Sequence, residues 1–298
     1  MSIRPKNHKS TVISSLFMLF IACIWIFNAH SNKEATDANK GSIHSPQNST
    51  NTTKSVDITN STDTIATLPY QLAAVRNQQS EQVITHIGYT VSFNPEWNIP
   101  NWVAYVLTKE ETMGTEARAK HFLPDPQVTN NPVVTSDYSH SGYDRGHMAP
   151  AADMKWSKQV MQESFYMTNM CPQNHSINAG DWKDLEEFGR DLAVEYDSIY
   201  IVCGPIVHST EHTIGQERSI VVPEAFFKAF LRFTSNGWSA IAYRMPNAPS
   251  NQPLMTYMHT IDEIENEMGI DLFYLLPDSI ETIIEADYTI SDWTIQHD

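Results

Sequence analysis

The chain has 298 residues, of which 41% are hydrophobic and 18% are charged, so it can form one large folded core and is not a disordered protein. Its formal net charge of −16 argues against tight non-specific binding to nucleic acid, because phosphate binding depends on Lys and Arg. Three cysteines are too few for a disulfide framework.

The excess negative charge is concentrated at the C-terminus. Between Ile261 and Asp298 the chain has 11 Asp or Glu residues and no Lys or Arg. A catalytic groove needs only a few well-placed cations and a bound metal ion. The acidic balance therefore does not exclude an enzyme that acts on phosphates.

The N-terminal segment begins with Arg4, Lys6 and Lys9, and an uncharged stretch rich in Leu, Ile, Phe and Trp follows. This pattern is typical of an export signal or an uncleaved membrane anchor, and no clear cleavage site decides between the two. Residues 1–30 are predicted to be that signal or transmembrane helix. The protein is accordingly expected to be exported: periplasmic, secreted, or attached to the membrane with its folded part outside the cytoplasm.

Residues 31–67 consist largely of Ser, Thr, Asn and Asp, with almost no large apolar side chain. Such a segment cannot bury enough surface to offset the entropy of ordering, so we predict a disordered linker. The folded domain is then expected to cover residues 68–298.

Within the domain, runs of β-branched and aromatic residues between Gly, Pro and Asn predict strands at 101–108, 164–170, 198–202 and 237–244. Leu185, Phe188 and Leu192 recur at helical spacing and predict a helix over 178–195; a second helix is predicted over 258–268. Strands with irregularly spaced helices indicate an α+β fold.

The densest polar cluster is the run Asp144-Arg145-Gly146-His147, and four further polar residues follow it within a few dozen positions: Asn169, Asn178, Glu186 and Arg190. Hydrolysis of a phosphodiester needs a base to activate water, a cation to stabilise charge, and guanidinium groups to hold phosphate. This mixture of residue types could supply all three.

Asn178 is predicted to begin the first long helix, where its amide oxygen would be a hard, neutral ligand suited to Mg²⁺. Glu186 and Arg190 are one turn apart and should face the same groove, although they could also simply pair with each other. His175 is expected to be a solvent-exposed loop residue.

The segment 143–150, Tyr-Asp-Arg-Gly-His-Met-Ala-Pro, resembles the DNA/RNA non-specific endonuclease family, whose fold is the ββα-metal (His-Me finger) fold. Segments 167–173 and 178–186 are similar to the next two blocks of that family, and the resemblance covers roughly residues 89–277. It implies an α+β domain with a central antiparallel sheet flanked by helices.

Position by position, the resemblance implies His147 as general base and Asn178 as the ligand of a Mg²⁺ ion, with Mn²⁺ as the alternative ion. It implies that Glu186 organises water near that ion. His147 would take a proton from a water that attacks phosphorus in line, while the ion stabilises the departing 3′ oxygen.

The resemblance also implies that Arg145 and Arg190 bind phosphate or stabilise charge, and that Asn169 is a supporting polar residue. Some family members have a further active-site Arg directly after the Trp-x-Ala-Tyr strand, whereas this chain has Val106 there. Contacts to phosphate carry no sequence information, so cleavage would be sequence-tolerant. Use of both DNA and RNA as substrates follows from the resemblance alone.

Two other functions are compatible with parts of the sequence. The first is a surface nucleic-acid-binding module that has lost its chemistry. The second is a zinc peptidase, because His208, Glu211 and His212 match a His-x-x-Glu-His motif, although the segment is predicted to be a loop after a strand. Cys171 and Cys203 could form a bridge or remain free thiols. The sequence predicts neither the oligomeric state nor an inhibitor.

Overall fold

The computed structural model describes residues 72–77 and 79–294. The predicted signal or anchor at 1–30 and the predicted linker at 31–67 lie outside these residues, as does the proposed start of the domain at residue 68. Within the described ranges, no helix combines the length and the apolar character needed to cross a membrane.

A seven-stranded antiparallel sheet forms the centre of the fold, with strand order β12-β11-β10-β7-β4-β3-β2. Its long central strands pair over up to ten residues. In chain order the strands are β1 Ala73–Val75, β2 Gln82–Thr85, β3 Thr90–Asn94, β4 Ile99–Thr108, β5 Asp144–His147, β6 Met170–Gln173, β7 Ser198–Ile206, β8 Thr213–Ile214, β9 Ile220–Val221, β10 Ala225–Thr234, β11 Gly237–Pro246, β12 Met258–His259 and β13 Ile270–Leu272. Outside the large sheet, β1 pairs with β13, β5 with β6, and β8 with β9.

Helices cover both faces of this sheet. They are α1 Lys109–Thr112, α2 Lys158–Glu163, α3 His175–Ala179, α4 Asp181–Tyr196, α5 Ile261–Met268 and α6 Asp278–Ile284, with short 3₁₀ turns at Thr135–Tyr138, Met167–Asn169, Leu254–Tyr257 and Ile290–Trp293. The predicted α+β class, with a central antiparallel sheet flanked by helices, is confirmed.

Alternation along the strands produces two separate cores. Side chains such as Tyr105 and Phe230 pack with Trp182 and Leu185 of α4 on one face of the sheet. On the other face, neighbours such as Ala104 and Ala229 pack with Ile261 and Ile264 of α5. The two faces therefore offer two distinct environments, and the polar cluster singled out from the sequence lies on the α4 face.

Three of the four predicted strands lie within β4, β7 and β11. The strand predicted at 164–170 is wrong: short-range bonds such as Tyr166 N–H to the Glu163 carbonyl and Asn169 N–H to the Tyr166 carbonyl turn the backbone there, and β6 begins only at Met170. The second predicted helix corresponds to α5, which starts with a capping box and ends at Gly269 in the left-handed region.

Candidate active site

Strands β5 and β6 form a short antiparallel pair in which His147 lies opposite Met170 and Gly146 lies opposite Cys171. A Cβ atom at Gly146 would lie 2.1 Å from Oε1 and 2.6 Å from Cβ of Gln173, so the packing of Gln173 requires glycine at this position. The Arg-Gly-His sequence thus brings two functional side chains together around a residue without a side chain.

The end of β5 is held in place from several directions. Trp182 of α4 donates from Nε1 to the carbonyl of His147 over 3.3 Å, and Lys228 of β10 donates to the carbonyl of Met148 over 3.3 Å. Asn169 accepts from the amide of Ala149 and donates to its carbonyl, both at 2.9 Å. Asn169 is fully buried and its amide is used in backbone contacts, so it positions the segment that carries His147.

The imidazole of His147 is only 7% exposed and packs edge-on against Phe165, with ring centroids 4.8 Å apart; Phe122 lies 5.6 Å away. Burial, and secondarily the positive charge of Arg118, lowers the pKa of His147 to about 3. Its Nε2 is buried and has no hydrogen-bond partner among the described residues. The side chain is therefore a neutral imidazole at ordinary pH.

Asn178 belongs to the short helix α3, which Asn174 caps, and α4 begins only after Gly180 breaks the helical path. The prediction that Asn178 starts the long helix is therefore wrong, because Gly180 adopts φ −113° and ψ −115°. Asn178 donates from Nδ2 to Oδ2 of Asp144 over 2.8 Å, which leaves its Oδ1 without a hydrogen-bond partner among the described residues. The bond fixes the orientation of the amide relative to β5.

Asp144 also lies 2.8 Å from Nδ1 of His175, whose side chain is mostly exposed, as the sequence predicted, although His175 begins α3 and does not lie in a loop. Asp144 thus joins β5 to α3 through two contacts.

Glu186 and Arg190 lie one turn apart on α4, but they do not pair with each other. Arg190 donates to Oδ1 of Asp153 over 2.8 Å, and Tyr105 donates to the other carboxylate oxygen of Asp153 over 2.8 Å. Burial raises the pKa of Glu186 to about 8, against the opposing charge of Lys228. Asp153, which is 1% exposed, raises that pKa further.

A polar cleft of about 460 Å³ lies between β5, α3 and the loops before β5. It is lined by Arg118, Phe122, Tyr138, Ser139, His140, Tyr143, Asp144, Arg145 and Asn178. The guanidinium of Arg145 lies 4.8 Å over the ring of Phe122, and its Nε is buried without a partner among the described residues. The cleft therefore brings Arg145 and Asn178 together, and His147 adjoins it through the ring of Phe122 without lining it.

Sequence reasoning missed three charged residues that act on this site: Arg118, Asp153 and Lys228. Lys228 is buried, lies 4.8 Å from the ring of Trp182, and occurs between apolar residues of β10. A single Lys within such a run signals a buried charge that needs a partner, so it could have been found. Arg118 and Asp153 lie in irregular segments, where no periodicity indicates which way a side chain faces.

The His208, Glu211 and His212 segment is irregular, as the sequence predicted, and does not form a helix. Nε2 of His208 lies 3.1 Å from Glu267, whereas the ring of His212 packs against Tyr143. These separate partners contradict a zinc peptidase site, which needs both imidazoles on one face of a helix. Cys171 and Cys203 are both buried and free.

Comparison with known proteins matches residues 70–279 to the DNA/RNA non-specific endonuclease family. Mitochondrial nuclease EXOG of Xenopus laevis is 32% identical over 205 residues, which cover 63% of this chain and 57% of that protein. Human mitochondrial endonuclease G is 30% identical over 203 residues (63% of this chain, 68% of that protein). The mitochondrial nuclease of Saccharomyces cerevisiae is 34% identical over 210 residues (63% and 64%).

Among solved structures, the crystal structure of an EndoG/EndoGI complex, which concerns inhibition of EndoG, matches with a TM-score of 0.62 and 27% identity. The match covers 67% of this chain and 89% of that chain. With the EXOG relatives of Xenopus laevis and Danio rerio, by contrast, the matched region spans only 57% and 60% of the relative's length.

The relatives contradict the predicted location. The EXOG, endonuclease G and yeast relatives are named as mitochondrial proteins, so the prediction of an exported protein that is periplasmic, secreted or anchored in a membrane is wrong. The physical reason is that basic residues followed by an apolar stretch specify a targeting class only weakly, since several kinds of targeting segment share these features.

Proposed function

Since the chain belongs to the DNA/RNA non-specific endonuclease family, we propose that it is a metal-dependent endonuclease that hydrolyses phosphodiester bonds of DNA and RNA without sequence preference. The main support for the proposal is that β5 and α3 meet at one polar cleft. There Asn178 of α3 donates a hydrogen bond to Asp144 of β5, and Asp144 lies three positions before His147 in the sequence. A base, a metal ligand and a guanidinium group would thereby act on one phosphate.

The residues of the cleft fit a divalent cation. The Oδ1 of Asn178 is free of hydrogen bonds among the described residues, and it is a hard oxygen donor of the kind that Mg²⁺ and Mn²⁺ accept. We assign Asn178 as the ligand and Glu186 as the carboxylate that orients water. When bound, Mg²⁺ supplies stabilisation of negative charge on the phosphate oxygens and the leaving 3′ oxygen.

His147 is assigned as the general base. Its low pKa keeps it unprotonated at neutral pH, so it can accept a proton from an attacking water. Because Nε2 is buried and has no partner among the described residues, we assign Nδ1 as the accepting nitrogen. Asn169 is a positioning residue that holds the following segment through Ala149.

Positive charge in the cleft would bind phosphate despite the net charge of the chain. Arg118 and Arg145 line the cleft and are assigned to phosphate oxygens, since guanidinium groups hold them in bidentate geometry. We assign Arg190 to charge stabilisation because it lies beside Glu186. Its hydrogen bond to Asp153 fixes the orientation of the guanidinium group. Such contacts read phosphate and not base edges, which accounts for cleavage without sequence preference.

A metal-dependence assay on the full-length protein tests this proposal. We expect both DNA and RNA to be degraded with Mg²⁺ and to stay intact with EDTA. Asn178→Ala should abolish most of the activity, because it removes the proposed ligand. Asn236→Ala, in the exposed turn between β10 and β11, is the matched control and should leave cleavage unchanged.

The same assay separates the alternative of an inactive binding module. Retardation of DNA in a gel without cleavage, under every metal condition, would support that alternative and contradict the nuclease. Full activity in the presence of EDTA would contradict the proposed ion.

A further inference from the structure

The face of the sheet opposite the cleft contains a compact group of carboxylates. Oxygen atoms of Asp262, Glu265 and Glu285 lie within 4.8 Å of one another, although the three residues come from α5 and from the end of α6. Glu265 and Glu285 are only 5% and 6% exposed. The acidic C-terminal sequence is therefore folded so that several of its charges meet away from water.

Glu285 forms no ion pair with any described residue. Its Oε1 is completely buried and accepts no hydrogen bond from any described residue. Its nearest charged neighbours include Glu265, Glu281, Asp271 and Asp262, all of which repel its ionised form. Burial and these neighbours raise the pKa of Glu285 to about 8.

The cation within this group is Arg76, and it compensates only part of the charge. Its guanidinium lies 2.8 Å from Asp271 and 3.5 Å from Glu265, and 54% of its side chain is exposed. Glu265 also accepts from the backbone amide of Leu272 over 2.6 Å. Neither contact is made to Glu285, which Arg76 affects only through Coulombic attraction.

A buried carboxylate without a partner is costly, because the desolvation of its charge is not repaid. Two physical solutions exist: the group stays protonated, or a cation binds. Asp262, Glu265 and Glu285 each offer one oxygen within 4.8 Å of the other two, which provides three hard ligand atoms for a divalent cation.

We propose that Asp262, Glu265 and Glu285 form a second cation site, separate from the cleft, that binds Ca²⁺ and joins α5 to the end of α6. Ca²⁺ is chosen over Mg²⁺ because Mg²⁺ keeps several of its waters, whereas two of these three carboxylates are almost fully removed from water. The role of the site is structural. Glu265 bonds to β13 and lies beside Arg76 after β1, so the cation would also stabilise the β1 and β13 pair.

Thermal unfolding of the full-length protein, first stripped with EDTA, tests the proposal at pH 7.5. Ca²⁺ at about a hundredfold above its Kd should raise Tm by about 5–10 °C, as expected for a ligand that binds only the folded state. Glu285→Gln should abolish the shift while keeping the shape of the side chain. Asp287→Asn, an exposed residue two positions further on, removes the same charge and should keep the full shift.

A second pair of measurements separates this site from the cleft. Asn178→Ala should bind Ca²⁺ in calorimetry as the wild type does, and Glu285→Gln should retain wild-type cleavage of DNA with Mg²⁺. Absence of a Ca²⁺ shift in the wild type, or an equal shift in Glu285→Gln, would overturn the site in favour of protonated carboxyl groups. In Asn178→Ala, which lacks the proposed ligand of the cleft, a shift with Mg²⁺ equal to that with Ca²⁺ would overturn the choice of ion.

Discussion

The two faces of the central sheet differ in how their buried carboxylates are compensated. On the α4 face, Asp153 is paired with Arg190 and Tyr105, and Glu186 lies within the field of Lys228. On the α5 face, Glu285 has acidic neighbours and no hydrogen-bond partner among the described residues.

The comparison shows that a similar pKa can have different causes. The pKa values of Glu186 and Glu285 are both raised to about 8, and burial is the largest cause for each. For Glu186 the next cause is an opposing cation, whereas for Glu285 the next causes are carboxylates that reinforce the shift. The chain thus supplies Arg190 and Lys228 to the face that we assign to catalysis, whereas on the α5 face Arg76 offsets only part of the negative charge and we propose a cation from solution.

The largest expected effect is on catalysis at the α4 face. His147→Ala should lower kcat by roughly 10²–10⁴-fold, because it removes the proposed base. Steady-state cleavage of a fluorescent DNA substrate measures this loss. His208→Ala, which removes an imidazole paired with Glu267 outside the cleft, should leave kcat unchanged. Equal losses in both variants would contradict the assignment of His147.

A large effect on stability is expected where the α4 face pairs its charges. Arg190→Ala leaves Asp153 buried without its cation and should lower the free energy of unfolding by about 3–5 kcal/mol. Urea unfolding followed by circular dichroism measures the change. Lys183→Ala breaks an exposed pair with Glu187 on the same helix and should change stability very little. A small effect of Arg190→Ala would show that Asp153 finds another partner.

The packing around β5 should produce an intermediate effect. Gly146→Ala places a methyl group against Gln173 and should cost about 1–3 kcal/mol of unfolding free energy. Adding Gln173→Ala removes the nearest contact, that with Oε1, and should recover part of the loss. Identical stabilities of the single and double variants, measured by urea unfolding, would contradict the steric explanation.

The last expected effect is a change in pH dependence. The pKa of Glu186 is about 8 in the folded protein and 4.5 as the ordinary value, so Glu186 stays protonated to a higher pH in the folded than in the unfolded protein. The free energy of unfolding should therefore fall as pH rises from about 4.5 to 8. Glu186→Gln should flatten the plot of Tm against pH over this window, measured in EDTA.

Glu187→Gln is the control for this measurement, because the pKa of Glu187 is lowered by Lys183 and its contribution falls below the window. An unchanged slope in Glu186→Gln would show that Glu186 is ionised across the window.

The sequence predicted the α+β class, the strands within β4, β7 and β11, and the order of the blocks around His147. The sequence did not predict strand β10. Its residues Phe226, Phe227 and Phe230 show no alternation of apolar and polar side chains, because both faces of this central strand are buried. The sequence prediction also failed at Asn178, since a break at Gly180 depends on backbone angles that helical periodicity does not reveal.

What the sequence determined by itself is local: which residues form strands and helices, and which short run carries the polar groups. Only the tertiary structure decided which charges meet, such as Arg190 with Asp153 and Glu285 with Glu265. The reason is that electrostatic interaction depends on distance and burial in space, and neither quantity is fixed by separation along the chain.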